Sequence, residues 1–246
     1  MNSRKLVTLL SFFVLGLSLW LIARIQQQRQ EAEIRTRYYA TILGQAPCIE
    51  NVCPGYSAGR NQALASLSNS SFVEGSEQGD TIIGLFFKSD SGAMMGSGGI
   101  YFAVDSQVGP LAVRRTSFRL HELDLKTVLN ILGEPDEFLF ISGCGMGLRV
   151  HAKLLYLSQG VEVVVDYLTR QPASQVLTGN TPVAWIEYYS PSDFQNHIME
   201  SLEWHILDTV TYDLSPTITA NSFLQQIQQW PGIDALPTPT ADFCPR

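Results

Sequence analysis

The stretch Ser142-Gly-Cys144-Gly-Met-Gly147 holds the residue best suited to covalent chemistry. It is a glycine-flanked cysteine with His151 seven residues further on. A cysteine becomes a nucleophile when a base, a cation or a helix N-terminus favours its thiolate. The segment that follows reads as a strand, so the plainer expectation is a hairpin loop carrying a disulfide cysteine. The glycines match neither a dinucleotide fingerprint nor a phosphate loop, because the spacing fails and no Lys-Ser/Thr or helix follows. A chain without catalysis of its own is therefore the first reading. An enzyme using Cys144 with His151 is the second.

Metal and acid–base chemistry find less. The histidines are His121, His151, His197 and His205. His121-Glu122 opens like a zincin helix, but Asp124 and Leu125 follow and no second histidine completes it. His197 and His205 are eight apart, with no acidic partner at ligand spacing. Glu162 and Asp166 share one face of a strand, and Glu134 and Asp136 flank Pro135. Paired carboxylates act across a cleft, and these pairs imply none. No metal and no cofactor is expected.

Recognition residues are better supplied. Arg114, Arg115 and Arg119 form the dense basic cluster of the body. On a strand Arg115 and Arg119 share a face, where pairing with acidic neighbouring strands is their expected role. Tyr101, Trp185, Tyr188 and Tyr189 lie on predicted strands. Exposed tyrosine, tryptophan and arginine are good contact residues, so these six form a candidate binding face: Tyr101, Arg115, Arg119, Trp185, Tyr188 and Tyr189. The four cysteines, Cys48, Cys53, Cys144 and Cys244, are an even number and fit an oxidising exterior. Three pairings are open to them.

The elements that position these residues follow from periodicity. Leu125, Val128, Leu129 and Leu132 make one helical stripe, with Asp124 as N-cap and Gly133 and Pro135 as the stop. Strands are predicted at Glu137–Ser142, Arg149–Leu157 and Val161–Leu168, the last two around the turn Ser158-Gln159-Gly160. Val161, Val163, Val165 and Tyr167 face one way, and Glu162 and Asp166 the other, which implies an antiparallel sheet with one wet face. A similar order precedes it: a short helix from Ser57 to Leu67, then strands at Thr81–Lys88, Gly99–Val104 and Leu111–Leu120. The two runs suggest a pseudo-symmetric pair of helix-plus-sheet modules. A strand at Val183–Tyr189 follows. Ser190, Pro191 and Asp193 start a helix with Phe194, Ile198 and Leu202 inward. A strand at Leu207–Leu214, a helix at Asn221–Trp230 and a Pro-rich tail end the chain.

The first residues differ from all of this. Leu6–Ala23 carries no charge and is dominated by Leu, Ile, Val, Phe and Trp. About 20 apolar residues span a bilayer, and Lys5 and Arg24 can snorkel at the ends. No small-residue cleavage site follows, so an uncleaved signal anchor is expected rather than a signal peptide. Arg4 and Lys5 favour a cytoplasmic N-terminus, while Arg24, Arg29, Arg35 and Arg37 pull the other way. Residues 1–37 hold six Lys/Arg against two Glu, a net of +4, and the rest holds ten against twenty-one, a net of -11. An acidic body excludes nucleic acid as the main partner. The expected division is an anchor at 1–25, a stalk at 26–45, modules at 46–122 and 123–190, and an extension at 191–246.

The run LKTVLNILGEPDEF, with the hairpin LLYLSQGVEVVV, resembles the small helix-plus-three-strand domain of the SmpA/OmlA (BamE-like) envelope lipoproteins. It is also similar to the tandem domains of the β-lactamase-inhibitor-protein fold. The likeness covers Leu125–Leu168, with an echo in CPGYSAGRNQALASL. It implies an α+β body of tandem helix-plus-antiparallel-sheet modules, held outside the cytoplasm and acting as a binding or scaffold protein for an envelope partner. No lipobox cysteine is present.

Overall fold

The computed structural model describes residues 3–55, 59–89, 92–103, 112–145, 147–169, 178–194, 196, 198 and 227–233. The chain divides into two compact units, Met1–Thr41 and Ile42–Arg246.

The first unit lies within α1 (Ser3–Leu43), one uninterrupted helix. The expected anchor and the expected stalk are thus parts of the same rod, which no proline or glycine pair interrupts. From Phe13 to Ile25 its described apolar side chains stand in the open, with Phe13 72% and Trp20 59% exposed. Among the described residues no helix is long and apolar enough to cross a membrane. The side chains of Leu6–Phe12, the first part of the uncharged run, lie outside the described set.

The second unit is α+β. Its helices are α2 (Arg60–Ser68) and α3 (Leu125–Leu132). Its strands are β1 (Val73–Glu77), β2 (Ile82–Lys88), β3 (Met94–Ala103), β4 (Ala112–Leu120), β5 (Glu137–Gly145), β6 (Gly147–Tyr156), β7 (Val161–Thr169), β8 (Trp185–Tyr189) and β9 (Gln228–Gln229). All join one antiparallel sheet in the order β1-β2-β3-β4-β8-β7-β6-β5-β9. The two helix-led runs therefore share a sheet and meet through β8. Since every neighbour is antiparallel, β4 and β7 run the same way. A two-fold axis normal to the sheet would set them in opposite directions, so no such axis relates the two runs.

Alternation sets the core. Ile83, Ile100, Thr116, Tyr188, Val161 and Tyr156 lie on one rung that crosses from β2 to β6, and every one is buried. Leu85, Phe118, Ile186, Val163 and Leu154 lie on the next rung of the same face. Helix α2 packs here through Leu67, which lies where a Cβ of Gly75 would be. Helix α3 is capped as its sequence predicts: Asp124 accepts from the Thr127 N–H at 2.8 Å, and Gly133 ends it at φ 86°. Two further amides at its start, Leu125 and Lys126, donate to the carbonyls of Thr181 and Gly179, which satisfies groups that a helix leaves without partners.

Several expectations change. Gly59, rather than Ser57, caps α2; Ser57 lies outside the described residues. Strand β1 was not foreseen, because VEGSE is polar and belongs to a sheet edge. Gln228 and Gln229, expected in a helix, pair instead with Phe138 and Glu137 of β5. Residues 199–226, with the expected strand at Leu207–Leu214, and the tail beyond residue 233 lie outside the described set.

Among the described residues one cysteine pairing is formed. Cys48 and Cys53 are bridged across a two-residue hairpin, in which Ile49 and Val52 exchange hydrogen bonds of 3.0 and 2.8 Å. Glu50 and Asn51 at its tip have φ of 48° and 64°, the backbone signs of a type I′ turn. Closing so short a loop stabilises the folded state by about 2 kcal/mol through chain entropy. Replacing both cysteines by serine should lower the midpoint of thermal unfolding accordingly, and an unchanged midpoint would show the bridge to be neutral.

Candidate functional site

The second face of the sheet carries the charge. Arg115 stands opposite Tyr189, Ser117 opposite Glu187, and Glu187 opposite Glu162. Lys153 Nζ lies 2.7 Å from Glu162 Oε1, with both side chains almost fully buried. Arg115 Nη1 lies 3.3 Å from Glu187 Oε1, and the Tyr189 hydroxyl donates to the other Glu187 oxygen. The Arg115 guanidinium also sits over the Tyr101 ring, 4.6 Å from its centroid.

These residues lie side by side across five strands, from Tyr101 on β3 to Lys153 on β6. Burial pushes the Glu162 carboxyl above its ordinary value; Lys153 opposes the shift and Glu187 adds to it. Burial disfavours the Arg115 charge, but Glu187, Tyr189 and Tyr101 outweigh it and hold the pKa above the usual value. The Tyr189 phenol is raised well above its ordinary value, first by burial and then by Glu162 and Glu187, so it stays a hydrogen-bond donor at neutral pH.

This corrects the expectation of a wet face. Glu162, Glu187, Lys153 and Val164 are all buried there. Part of the cover comes from Phe194 and Ile198, which pack with Leu139, Leu155 and Tyr189 into a second apolar cluster. The sequence signal was Val164, an apolar residue on the same face as Glu162.

Beside this network lies a groove of about 440 Å³. Pairing of β4 with β8 stops at Phe118 and Ile186, while β8 stays on β7 through Trp185. A gap therefore opens between Arg119 and the segment Pro182–Trp185. Ser97, Tyr101, Ser117, Arg119 and Trp185 line it. Arg119 is exposed and has no carboxylate partner among the described residues. Among the described residues no acidic side chain lines the groove. The strand register thus brings together Tyr101, Arg115, Arg119 and Trp185 of the expected binding face. Tyr189 is on that face but buried under Phe194. Tyr188 is a correction: it is fully buried on the opposite face, against Phe118, because strand alternation turns it away from Tyr189. Sequence reasoning missed Ser97, Ser117, Lys153 and Glu187, none of which belongs to a recognisable motif. The chain matches no family model, no curated protein and no solved structure.

The other candidates fare as follows. Cys144 pairs with Leu148 and His151 with Ile141 on β5 and β6. Their side chains, and Cys244, lie outside the described set. Among the described residues no group of His, Cys, Asp or Glu could hold a metal ion. Glu134 and Asp136 line a second groove, of about 750 Å³. Their carboxylates are engaged: Glu134 accepts from the Trp230 indole, and Asp136 accepts from the Leu157 amide at 2.7 Å. Glu134, together with the Asp136 backbone carbonyl that accepts from the Trp230 amide, ties the β9 segment to the sheet.

Proposed function

We propose that this chain is a membrane-anchored extracytoplasmic binding protein without catalysis of its own, which offers the Tyr101–Arg119–Trp185 face to its partner. The observation that carries the anchor is the row of exposed apolar side chains on α1. Phe13, Leu15, Leu17, Leu19, Trp20 and Ile22 are each 49–72% exposed, and such a surface is covered by lipid or by another protein. The uncharged run Leu6–Ala23, the basic flanks and the acidic body favour lipid. The Cys48–Cys53 bridge favours an oxidising side for the body. The likeness to envelope lipoprotein domains belongs to this proposal as an analogy of fold.

The enzyme reading lacks a comparable support. The rungs Cys144–Leu148 and Ile141–His151 are three apart in the backbone register, and no base is placed beside Cys144 among the described side chains.

The full chain should remain in the membrane pellet after an alkaline carbonate wash and leave it in detergent. Protease added to cells whose outer envelope has been opened, with the inner membrane intact, should digest the body. Replacing Leu15 and Leu19 with arginine costs about 2.5–3.5 kcal/mol of insertion for each near a helix centre, and should move the chain to the soluble fraction. A wild-type chain that washes off in carbonate is no anchored protein, and a body still protected in those opened cells faces the cytoplasm.

A further inference from the structure

We propose that the groove between β4 and the Pro182–Trp185 segment binds a ring-bearing monocarboxylate, an acidic saccharide of the uronic-acid class. The inference rests on the reading of this face as the binding face and is independent of the membrane anchor.

Charge narrows the ligand first. Among the described residues, Arg119 is the single ionic side chain lining the groove. A guanidinium takes a carboxylate through two parallel hydrogen bonds. A phosphate dianion would meet only one cation among the described lining residues. A zwitterion would bring an ammonium to a lining with no described acidic side chain. Glu187, the nearest carboxylate in the register, is buried and engaged by Arg115 and Tyr189. A monoanion is the charge state that fits.

The remaining lining describes the body of the ligand. Tyr101 and Trp185 are half-buried aromatic side chains of the lining, the residue type that suits the C–H side of a pyranose. Ser97 and Ser117 add hydroxyls, which both donate and accept, as sugar hydroxyls require. The Tyr101 ring is held in place. Arg115 sits over it, and Arg115 is itself fixed by Glu187. This explains why a costly buried charge network adjoins the groove: it presets one aromatic wall before any ligand arrives. Gly99 leaves the sheet bare beside the ring, since a Cβ there would touch Tyr101 and Ile82. The volume, about 440 Å³, lies in the lower part of the range of small-ligand pockets, about 300–1,000 Å³.

The full chain in detergent micelles is titrated with glucuronate, galacturonate and digalacturonate, and with glucose, glucose 6-phosphate and glutamate as controls. Tryptophan fluorescence and saturation-transfer NMR read binding. Uronates should bind at least tenfold more tightly than glucose, glucose 6-phosphate or glutamate. Arg119→Gln should weaken uronate binding at least tenfold without changing the far-ultraviolet circular dichroism, and Arg119→Lys should restore part of it. Trp185→Ala should remove ring contact and abolish binding. No uronate binding by folded protein overturns the proposal. So does a preference for the phosphate or for glutamate, or indifference to Arg119→Gln. Photo-crosslinking from position 97 in intact membranes reads the broader proposal separately. Crosslinks that vanish with Trp185→Ala, in a chain that ignores uronates, keep the binding face and discard the saccharide.

Discussion

Lys153→Ala should destabilise the body by about 3–5 kcal/mol, the cost of leaving a buried carboxylate without its cation. The two side chains are 3% and 1% exposed and 2.7 Å apart, so water can replace neither. Replacing both, with Lys153→Met and Glu162→Leu, should lie between neutral and about 1–4 kcal/mol of stabilisation, because the desolvation cost goes with the charges. Urea unfolding of the two variants at neutral pH reads the difference. The pH dependence has a definite sign. The Glu162 carboxyl is raised above its ordinary value of 4.5, mainly by burial. The folded state therefore holds its proton more tightly than the unfolded state does. The stability that this confers is complete below the unfolded value and is lost as pH rises through the folded one. Lys153 opposes that rise, so its removal lifts the folded value further. The Lys153→Ala deficit should then shrink as pH falls from neutrality toward the ordinary carboxylate range. A loss under about 1 kcal/mol, the worth of an exposed pair, or a deficit that grows in acid, would show that Glu162 is hydrated.

Phe118→Ala should cost about 3–5 kcal/mol, the range for a large aromatic side chain lost from a core. Phe118 sits between Phe87 and Tyr188, with ring centroids at 5.4 and 5.0 Å, and is 2% exposed. The sheet is shaped to receive it. A Cβ at Gly98 would overlap the Phe118 Cβ and the Ser117 carbonyl, so β3 approaches β4 closely here because it has no side chain to place. The cavity cannot refill from Gly98, and the neighbours across the sheet are held by the β2–β3–β4–β8 ladder. Denaturant midpoints with unchanged slope would confirm a core loss. A change below about 1.5 kcal/mol, the cost of a volume-conserving swap, would mean that the layer repacks.

Helix α3 and strands β2, β4, β6 and β7 were readable because each carries a complete local signal. Asp124 precedes a stripe at 3.6-residue spacing, and Val161, Val163 and Val165 alternate with Glu162, Val164 and Asp166, two of them acidic. Local chemistry is sufficient there: a cap satisfies its own helix, and alternation needs only one covered face. Strand β1 and the Gln228–Gln229 pairing were not readable. Their residues are polar and acquire strand geometry by hydrogen bonding to a neighbour distant in sequence. The groove was half legible. Arg115 and Arg119 on one strand face follow from parity, as do the opposed directions of Tyr188 and Tyr189. That neither tyrosine meets solvent depended on what lay above each face, with Phe118 beside Tyr188 and Phe194 over Tyr189.

Residue types and spacing were enough to establish an apolar helical front, an acidic body of helices and antiparallel strands, and a lack of catalytic motifs. These are properties of short windows, set by side-chain period and charge. The three-dimensional packing settled how the strands are ordered, that β8 sits between β4 and β7, and that the charged face is largely buried. It alone set Glu187 beside both Glu162 and Arg115, and Trp185 across a gap from Arg119. Those pairs are separated by up to 72 residues. Their meeting depends on strand order and register, which no local pattern specifies.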